Sequence, residues 1–210
     1  SFIFTDANLN LSNFKKIFLD LVEKTFNSIT VDSDTSTSDM VLFMFVKGSI
    51  SKIQNDKNLK QEFLIKSEKL MRELAHLIVK DGEGASKFIS IKVGGAKTIK
   101  EAKSIGMTVA NSPLFKTAMA GSDSNWGRII MALGKSANDL NPKQISIKFG
   151  DYYILENGEV LLKNRNKIDK YLKKNEIDIF IKMGKGTKES TVWTCDLTKE
   201  YIRINSDYRS

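Results

Sequence analysis

The residues predict a mixed α/β fold, an α+β layered sandwich in one unit, and two patterns carry that prediction. In the first half, apolar residues recur at helical spacing over long stretches, as at Phe14, Ile17, Phe18, Leu21, Val22 and Phe26. Beyond Gly134 the pattern changes to short strand signatures, two of them joined by the hairpin signal Glu156-Asn157-Gly158. That change admits a smaller C-terminal lobe from about residue 140 within the single 1–210 unit.

In order, Phe2-Ile3-Phe4 reads as a short strand that starts without a polar lead-in, and Ser12 reads as the N-cap of the first helix. The segment Val31 to Asp39, dense in carboxylates and hydroxyls, precedes an apolar strand from Val41 to Val46. Its Asp-x-Asp spacing lacks the glycine and distal glutamate of a calcium loop, which favours a loop held by its own Asx and Ser/Thr turns. No metal site is expected. A turn over Lys52 to Asn58 leads into a second long helix carrying Leu59, Phe63, Leu70, Met71, Leu74 and Ile78. Its His76 is the only histidine, placed mid-helix and away from any hydroxyl- or thiol-rich turn, so it reads as structural.

Next comes Asp81-Gly82-Glu83-Gly84, a carboxylate between two glycines where the helical pattern gives way to the strand signature Phe88, Ile89, Ile91, Val93. The glycines permit unusual backbone conformations and leave room for a close approach, so Glu83 is presented to meet an ammonium group. Composition alone leaves open an exposed acidic turn. Gly94-Gly95 then reads as a turn into a helix from about Thr98 to Ala110, and Asn111-Ser112-Pro113 as a fresh helix start. The polar turn from Ala120 to Ile130 either binds an anion through Arg128 and backbone amides or starts a helix pinned by Trp126. Strands follow at Ile145 to Phe149, Tyr152 to Leu155, Val160 to Leu162, Ile177 to Met183 and Ser190 to Cys195, with a basic helix after the third. Leu197, Tyr201 and Ile204 give the tail helical spacing.

Charge and composition narrow the function classes. The net charge is +8, yet the densest basic stretch, Lys163 to Lys174, carries no aromatic-interleaved RNA signature and reads as a solvated helix face. No nucleic-acid partner is expected from it. The lone cysteine, Cys195, precludes an internal disulfide framework and fits a cytosolic setting. No apolar run approaches the roughly 20 residues that span a bilayer, so no membrane partner is expected.

Several distinctive words occur in order from the first residue to the last. They are Ser1-Phe-Ile-Phe-Thr-Asp-Ala7, Asp32-Ser-Asp-Thr-Ser-Thr-Ser-Asp39, Asp81-Gly-Glu-Gly-Ala-Ser-Lys-Phe-Ile89 and Val109-Ala-Asn-Ser-Pro-Leu-Phe-Lys-Thr-Ala118, then Gly121-Ser-Asp-Ser-Asn-Trp-Gly-Arg-Ile129, Trp193-Thr-Cys-Asp-Leu-Thr198 and the tail Tyr201 to Ser210. Together they resemble the arginine-biosynthesis bifunctional family, the ornithine acetyltransferases or glutamate N-acetyltransferases. The resemblance implies a self-processing fold of the N-terminal-threonine-nucleophile type, of which this chain is the β subunit. Its partner would be the α chain of the same precursor, in an α2β2 heterotetramer.

What the resemblance implies about chemistry is equally specific. An acetyl group would pass from N-acetylornithine to glutamate through an acetyl-threonine, with no cofactor, and acetyl-CoA would serve bifunctional members as a donor substrate. The threonine nucleophile is expected about three residues upstream of the segment matching Ser1, so no catalytic residue is assigned in this chain. Such a threonine can use its own α-amino group, pKa about 8, as the base. The oxyanion hole and a substrate-contacting threonine and lysine fall to the α chain. Carried over by position, Glu83, Asn205 and the terminal Ser210 are the substrate contacts, Ser210 standing where threonine is usual. Asp34, Thr35, Thr37, Asp123 and Arg128 are candidate site-lining residues, and Ser124 stands where proline is usual before Asn-Trp-Gly-Arg. Two other readings stand beside this one, an aminopeptidase or amidase on a similar scaffold and a basic nucleic-acid-binding module.

Overall fold

The computed structural model describes residues 1–7, 11–46, 56–136 and 140–208, with the side chains of residues 11–13 outside the description. The chain forms two compact units, one of residues 1–27 and 34–77, the other of residues 28–33 and 78–210.

In the first unit, β1 (Phe2–Thr5) pairs in parallel with β2 (Leu42–Phe45), in the register Phe2 to Leu42 and Thr5 to Phe45. Parallel strands need a crossover, and α1 (Leu11–Lys24) lies in the connection. The helix starts one residue before Ser12, which therefore sits in its first turn and is not its cap. The predicted apolar stripe is the packing face: Ile17, Phe18, Leu21 and Val22 gather with Ile3, Phe43, Met71 and Leu74. Phe14 meets Phe43 and Phe45 edge-on, with centroids 4.9 Å apart in both pairs. The second helix, α2 (Lys57–Lys80), is capped by Asp56, whose Oδ1 accepts from the amides of Asn58 at 2.8 Å and Leu59 at 3.1 Å. Most of the turn expected over residues 52–58 lies outside the described residues.

The second unit is built on a six-stranded sheet. Its strands are β3 (Phe88–Ala96), β4 (Ser146–Phe149), β5 (Tyr152–Glu156), β6 (Glu159–Val160), β7 (Glu176–Lys182) and β8 (Lys188–Cys195), in the order β6-β5-β4-β7-β3-β8. Only β3 and β7 run parallel. The strands after residue 140 thus share one sheet with β3, and the second unit runs through the point where the sequence pattern changes. Alternate residues of the central strands, Ile89, Ile91 and Val93 on β3 and Ile177, Ile179 and Ile181 on β7, are buried in one core with α3 (Ile99–Ala110), α4 (Pro113–Ala120) and α5 (Trp126–Ser136). A methyl on Gly106 of α3 would sit 3.0 Å from Val192, so α3 lies close on the sheet because that position is glycine. Ser112 caps α4 as its sequence predicts, with Pro113 in the first turn, and Thr98, the expected start of the helix, is the N-cap of α3.

Two strand expectations are corrected. Gly94 and Gly95 lie inside β3 and do not turn the chain; the β3–β8 register shifts between Val93 and Ala96, and Gly95 takes φ +76°. A side chain on Gly95 would come within 2.6 Å of Gly184 O, so the glycine serves a backbone-to-backbone approach from a distant loop. The strand expected from Val160 to Leu162 is only Glu159–Val160: Leu161 N still donates to Ile154 O, but a 3-10 turn, Leu162–Asn164, begins at the next residue. Its hairpin is as predicted, with positive φ at Asn157 and Gly158. The basic stretch forms α6 (Arg165–Tyr171), which buries Ile168 and leaves its lysines on the exposed or partly exposed side. The tail forms α7 (Lys199–Asp207), N-capped by Thr198.

Candidate functional site

The turn that carries Glu83 sits between the last turn of α2 and β3, and α7 lies against it. Gly84 has φ +65°, and a side chain there would meet Tyr201 N at 2.5 Å. Gly82 has Val31 Cγ1 at 3.0 Å and Cys195 Sγ at 3.3 Å from the place of a Cβ. The room that the two glycines leave is thus taken by this chain's own segments, and what approaches is α7.

Three side chains fasten the turn. Asp196, just after β8, accepts from Ser86 N at 2.8 Å and Lys87 N at 2.9 Å on one oxygen, and from Ser86 Oγ at 2.5 Å on the other. Thr198 donates from Oγ1 to Gly84 O at 2.7 Å while accepting from Glu200 N, so one hydroxyl caps α7 and ties its start to the turn. Asn205, on the same helix, donates from Nδ2 to Glu83 Oε2 at 2.7 Å and to Tyr201 O at 3.0 Å. Glu83 is exposed, and its Oε1 has no partner among the described residues. Tyr201, one turn before Asn205, donates from its hydroxyl to Asp32 Oδ2 at 3.0 Å.

Two buried lysines stand behind these contacts. Lys87 donates to Met119 O and to Ser122 Oγ, and Lys116 donates to Val31 O, Thr194 Oγ1 and Cys195 O. Burial lowers the pKa of both; Asp196 opposes the shift at Lys87, and Cys195 more than Asp196 opposes it at Lys116. Burial raises the pKa of the Cys195 thiol.

Glu83 and Asn205, chosen apart in the sequence, are therefore brought together. Ser210, the third expected contact, lies outside the described residues. Asp34, Thr35 and Thr37 belong to the first unit and are exposed, in a loop where Ser36 Oγ accepts from the amides of Ser38 and Asp39 at 3.2 Å. Arg128 donates to Leu114 O at 2.7 Å and Thr117 Oγ1 at 3.0 Å, so its guanidinium ties α5 to α4 and the turn before it is a helix start at Trp126. No hydrogen bond joins Asp123 or Arg128 to Glu83 or Asn205 among the described residues. Ser124 N donates to Asp169 Oδ1 at 3.2 Å, a bond that proline at this position could not make. Asp32, Lys116, Asp196 and Tyr201 were not among the site residues read from the sequence, although each lies in one of its distinctive words and the Asp-x-Asp spacing and the helical spacing of the tail touch the first and the last.

This arrangement offers a carboxylate with one oxygen held by an amide and the other open, which suits an ammonium group. The hydroxyls beside it, those of Ser86 and Thr198, are committed to the fold.

The ArgJ family model matches residues 1–210. The chain is 45% identical over 210 residues to the arginine biosynthesis bifunctional protein ArgJ of Ruegeria pomeroyi, covering all of this chain and 50% of that protein. It is 43% identical to the protein of that name from Bartonella henselae, covering all of this chain and 52% of the relative. The chain thus spans about half the length of the curated relatives it matches. Among solved structures, the arginine biosynthesis bifunctional protein ArgJ of Bacillus halodurans superposes with a TM-score of 0.90 at 34% identity, over 99% of this chain and 98% of that one. By family model, identity and fold, the chain belongs to the ArgJ family.

Proposed function

We propose that this chain is the β subunit of an acetyltransferase of arginine biosynthesis and supplies the wall of the pocket that receives the ornithine moiety. The observation that carries the reading is the 2.7 Å bond from Asn205 Nδ2 to Glu83 Oε2, which fixes one carboxylate oxygen and, among the described residues, leaves the other open on an exposed side chain. The δ-ammonium group of N-acetylornithine is the ligand for that open oxygen. Ser210 completes the set in this proposal.

The chemistry is a two-step transfer. A threonine hydroxyl preceding Ser1 in the precursor attacks the acetyl carbonyl, its proton passing to the threonine's own α-amino group. The C–N bond of N-acetylornithine breaks, ornithine leaves with that proton, and an acetyl ester remains. The amino group of glutamate then attacks the ester; the new C–N bond forms, the ester C–O bond breaks, and a proton lost by the amine passes to the threonine oxygen and restores the hydroxyl. Acetyl-CoA enters as a second donor if the enzyme is bifunctional. No cofactor is needed for either step.

A partner chain also fits the surface of the first unit. Phe2 and Phe4 of β1 are 63% and 67% exposed, on a two-stranded parallel sheet of a kind usually covered on both faces. The α chain of the same precursor is the proposed cover, in an α2β2 assembly. A cytoplasmic setting goes with this reading, and among the described residues no helix is long and apolar enough to cross a membrane.

Co-expression of the whole precursor and an acetyl-transfer assay test the proposal, with N-acetylornithine and acetyl-CoA compared as donors and glutamate as acceptor. Formation of N-acetylglutamate from N-acetylornithine is the expected result. Release of free acetate with no dependence on glutamate would favour the amidase reading instead.

A further inference from the structure

Lys116 occupies an unusual position for a lysine. It lies on α4 with 2% of its surface exposed, and among the described residues no carboxylate is hydrogen-bonded to it. Its ammonium group has three N–H donors, met by three oxygen acceptors, Val31 O at 2.6 Å, Thr194 Oγ1 at 2.9 Å and Cys195 O at 2.5 Å, with a longer contact to Cys195 Sγ at 3.8 Å. Its backbone carbonyl accepts from Leu197 N at 3.3 Å. One residue thus grips the end of β8, the connection that follows it, and the separate segment at Val31.

Both gripped segments lead to α7. Leu197 is followed by Thr198, which caps α7 and bonds Gly84 O. Val31 is followed by Asp32, whose carboxylate accepts the Tyr201 hydroxyl in the first turn of α7. Two routes from a single buried ammonium therefore converge on the helix that presents Asn205 to Glu83. An apolar side chain would fill the same space at no electrostatic cost, yet among the described residues it would leave Val31 O with only the 3.8 Å contact of Cys195 Sγ and Cys195 O with only the 3.4 Å contact of Thr194 Oγ1.

We propose that Lys116 is a positioning residue, setting the place of α7 and through it the Asn205–Glu83 pair that receives the cationic substrate; this rests on the proposed role of that pair. Lys116 touches no substrate. Its effect is on the geometry of a pocket wall, where a shift of one ångström is enough to be felt in binding.

The test uses the co-expressed two-chain enzyme with Lys116→Met, Asn205→Ala and the double variant, assayed for N-acetylornithine turnover. Amide hydrogen exchange is followed on the same preparations. Lys116→Met is expected to raise KM for N-acetylornithine on the order of tenfold with kcat within about twofold. Exchange in residues 199–207 should accelerate while β3 and β7 keep their protection. Because Lys116 acts through Asn205, the double variant should show little more KM increase than Asn205→Ala alone. KM effects that multiply, or α7 exchange equal to wild type, overturn the proposal. Should Lys116→Met fail to fold, Tyr201→Phe cuts one route only, and a KM increase of roughly threefold with faster α7 exchange is then expected; neither change overturns it. If the wild-type enzyme does not use N-acetylornithine at all, the functional reading fails, and the exchange of α7 in the variants alone decides whether Lys116 sets its place.

Discussion

Gly84 and the backbone of Tyr201 meet so closely that a methyl group on the glycine would lie 2.5 Å from the tyrosine nitrogen. Gly84 also holds φ +65°, a conformation that costs other residues strain. Gly84→Ala is therefore expected to destabilise the second unit by roughly 2–4 kcal/mol, combining backbone strain with the displacement of α7. Urea denaturation followed by circular dichroism checks this. A midpoint within error of wild type would mean that α7 does not pack on the turn.

Glu83→Ala should separate binding from folding. The side chain is exposed, and its bond to Asn205 is worth no more than about 1 kcal/mol to stability. Turnover of N-acetylornithine by the intact enzyme should nonetheless fall by about tenfold or more, chiefly through KM. Wild-type KM in the variant would remove Glu83 from the substrate site.

Asp196→Ala removes three hydrogen bonds at once from a residue 3% exposed, two of them to backbone amides that would be left without their acceptor. A loss of about 3 kcal/mol is expected, with Asp196→Asn milder because one carbonyl oxygen still accepts. Thermal denaturation of the three proteins side by side gives the ranking.

Alkaline pH offers a test at Tyr171. Burial raises the pKa of its hydroxyl above the ordinary 10.0, and that oxygen accepts from Asp178 N at 2.9 Å. The folded state thus holds this proton more tightly than the unfolded chain does. The resulting stability is fully present below pH 10 and is lost as pH rises through the raised folded value. The difference in melting temperature between wild type and Tyr171→Phe should shrink over that window, and a constant difference would place the phenol in contact with water.

How much of this was legible in the chain depended on the range of the interactions. The place of Glu83 could be read locally, because a period of 3.6 gives way to a period of 2 on either side of Gly-Glu-Gly. Asn205 became visible only through the family resemblance, since nothing near it in the sequence marks a helix face that meets a turn 122 residues away. Lys116 and Asp196 stood inside words that marked the family but gave no sign of their roles, as their bonds span 79 and 110 residues and a lysine after Phe115 reads like any helix surface position. Gly94-Gly95 misled for the same reason: glycine pairs signal turns locally, but here the cause is Gly184 in another loop.

Burial loosens the protons of Lys87 and Lys116, which leaves each with a larger share of free amine than a solvated lysine would have at the same pH. In a protein whose proposed reagent is an activated acyl group, such nitrogens would be the first to be modified by accident. The folded chain hides both of them, so stray acylation should fall on the solvent-facing lysines and leave the two internal ones intact until the protein unfolds.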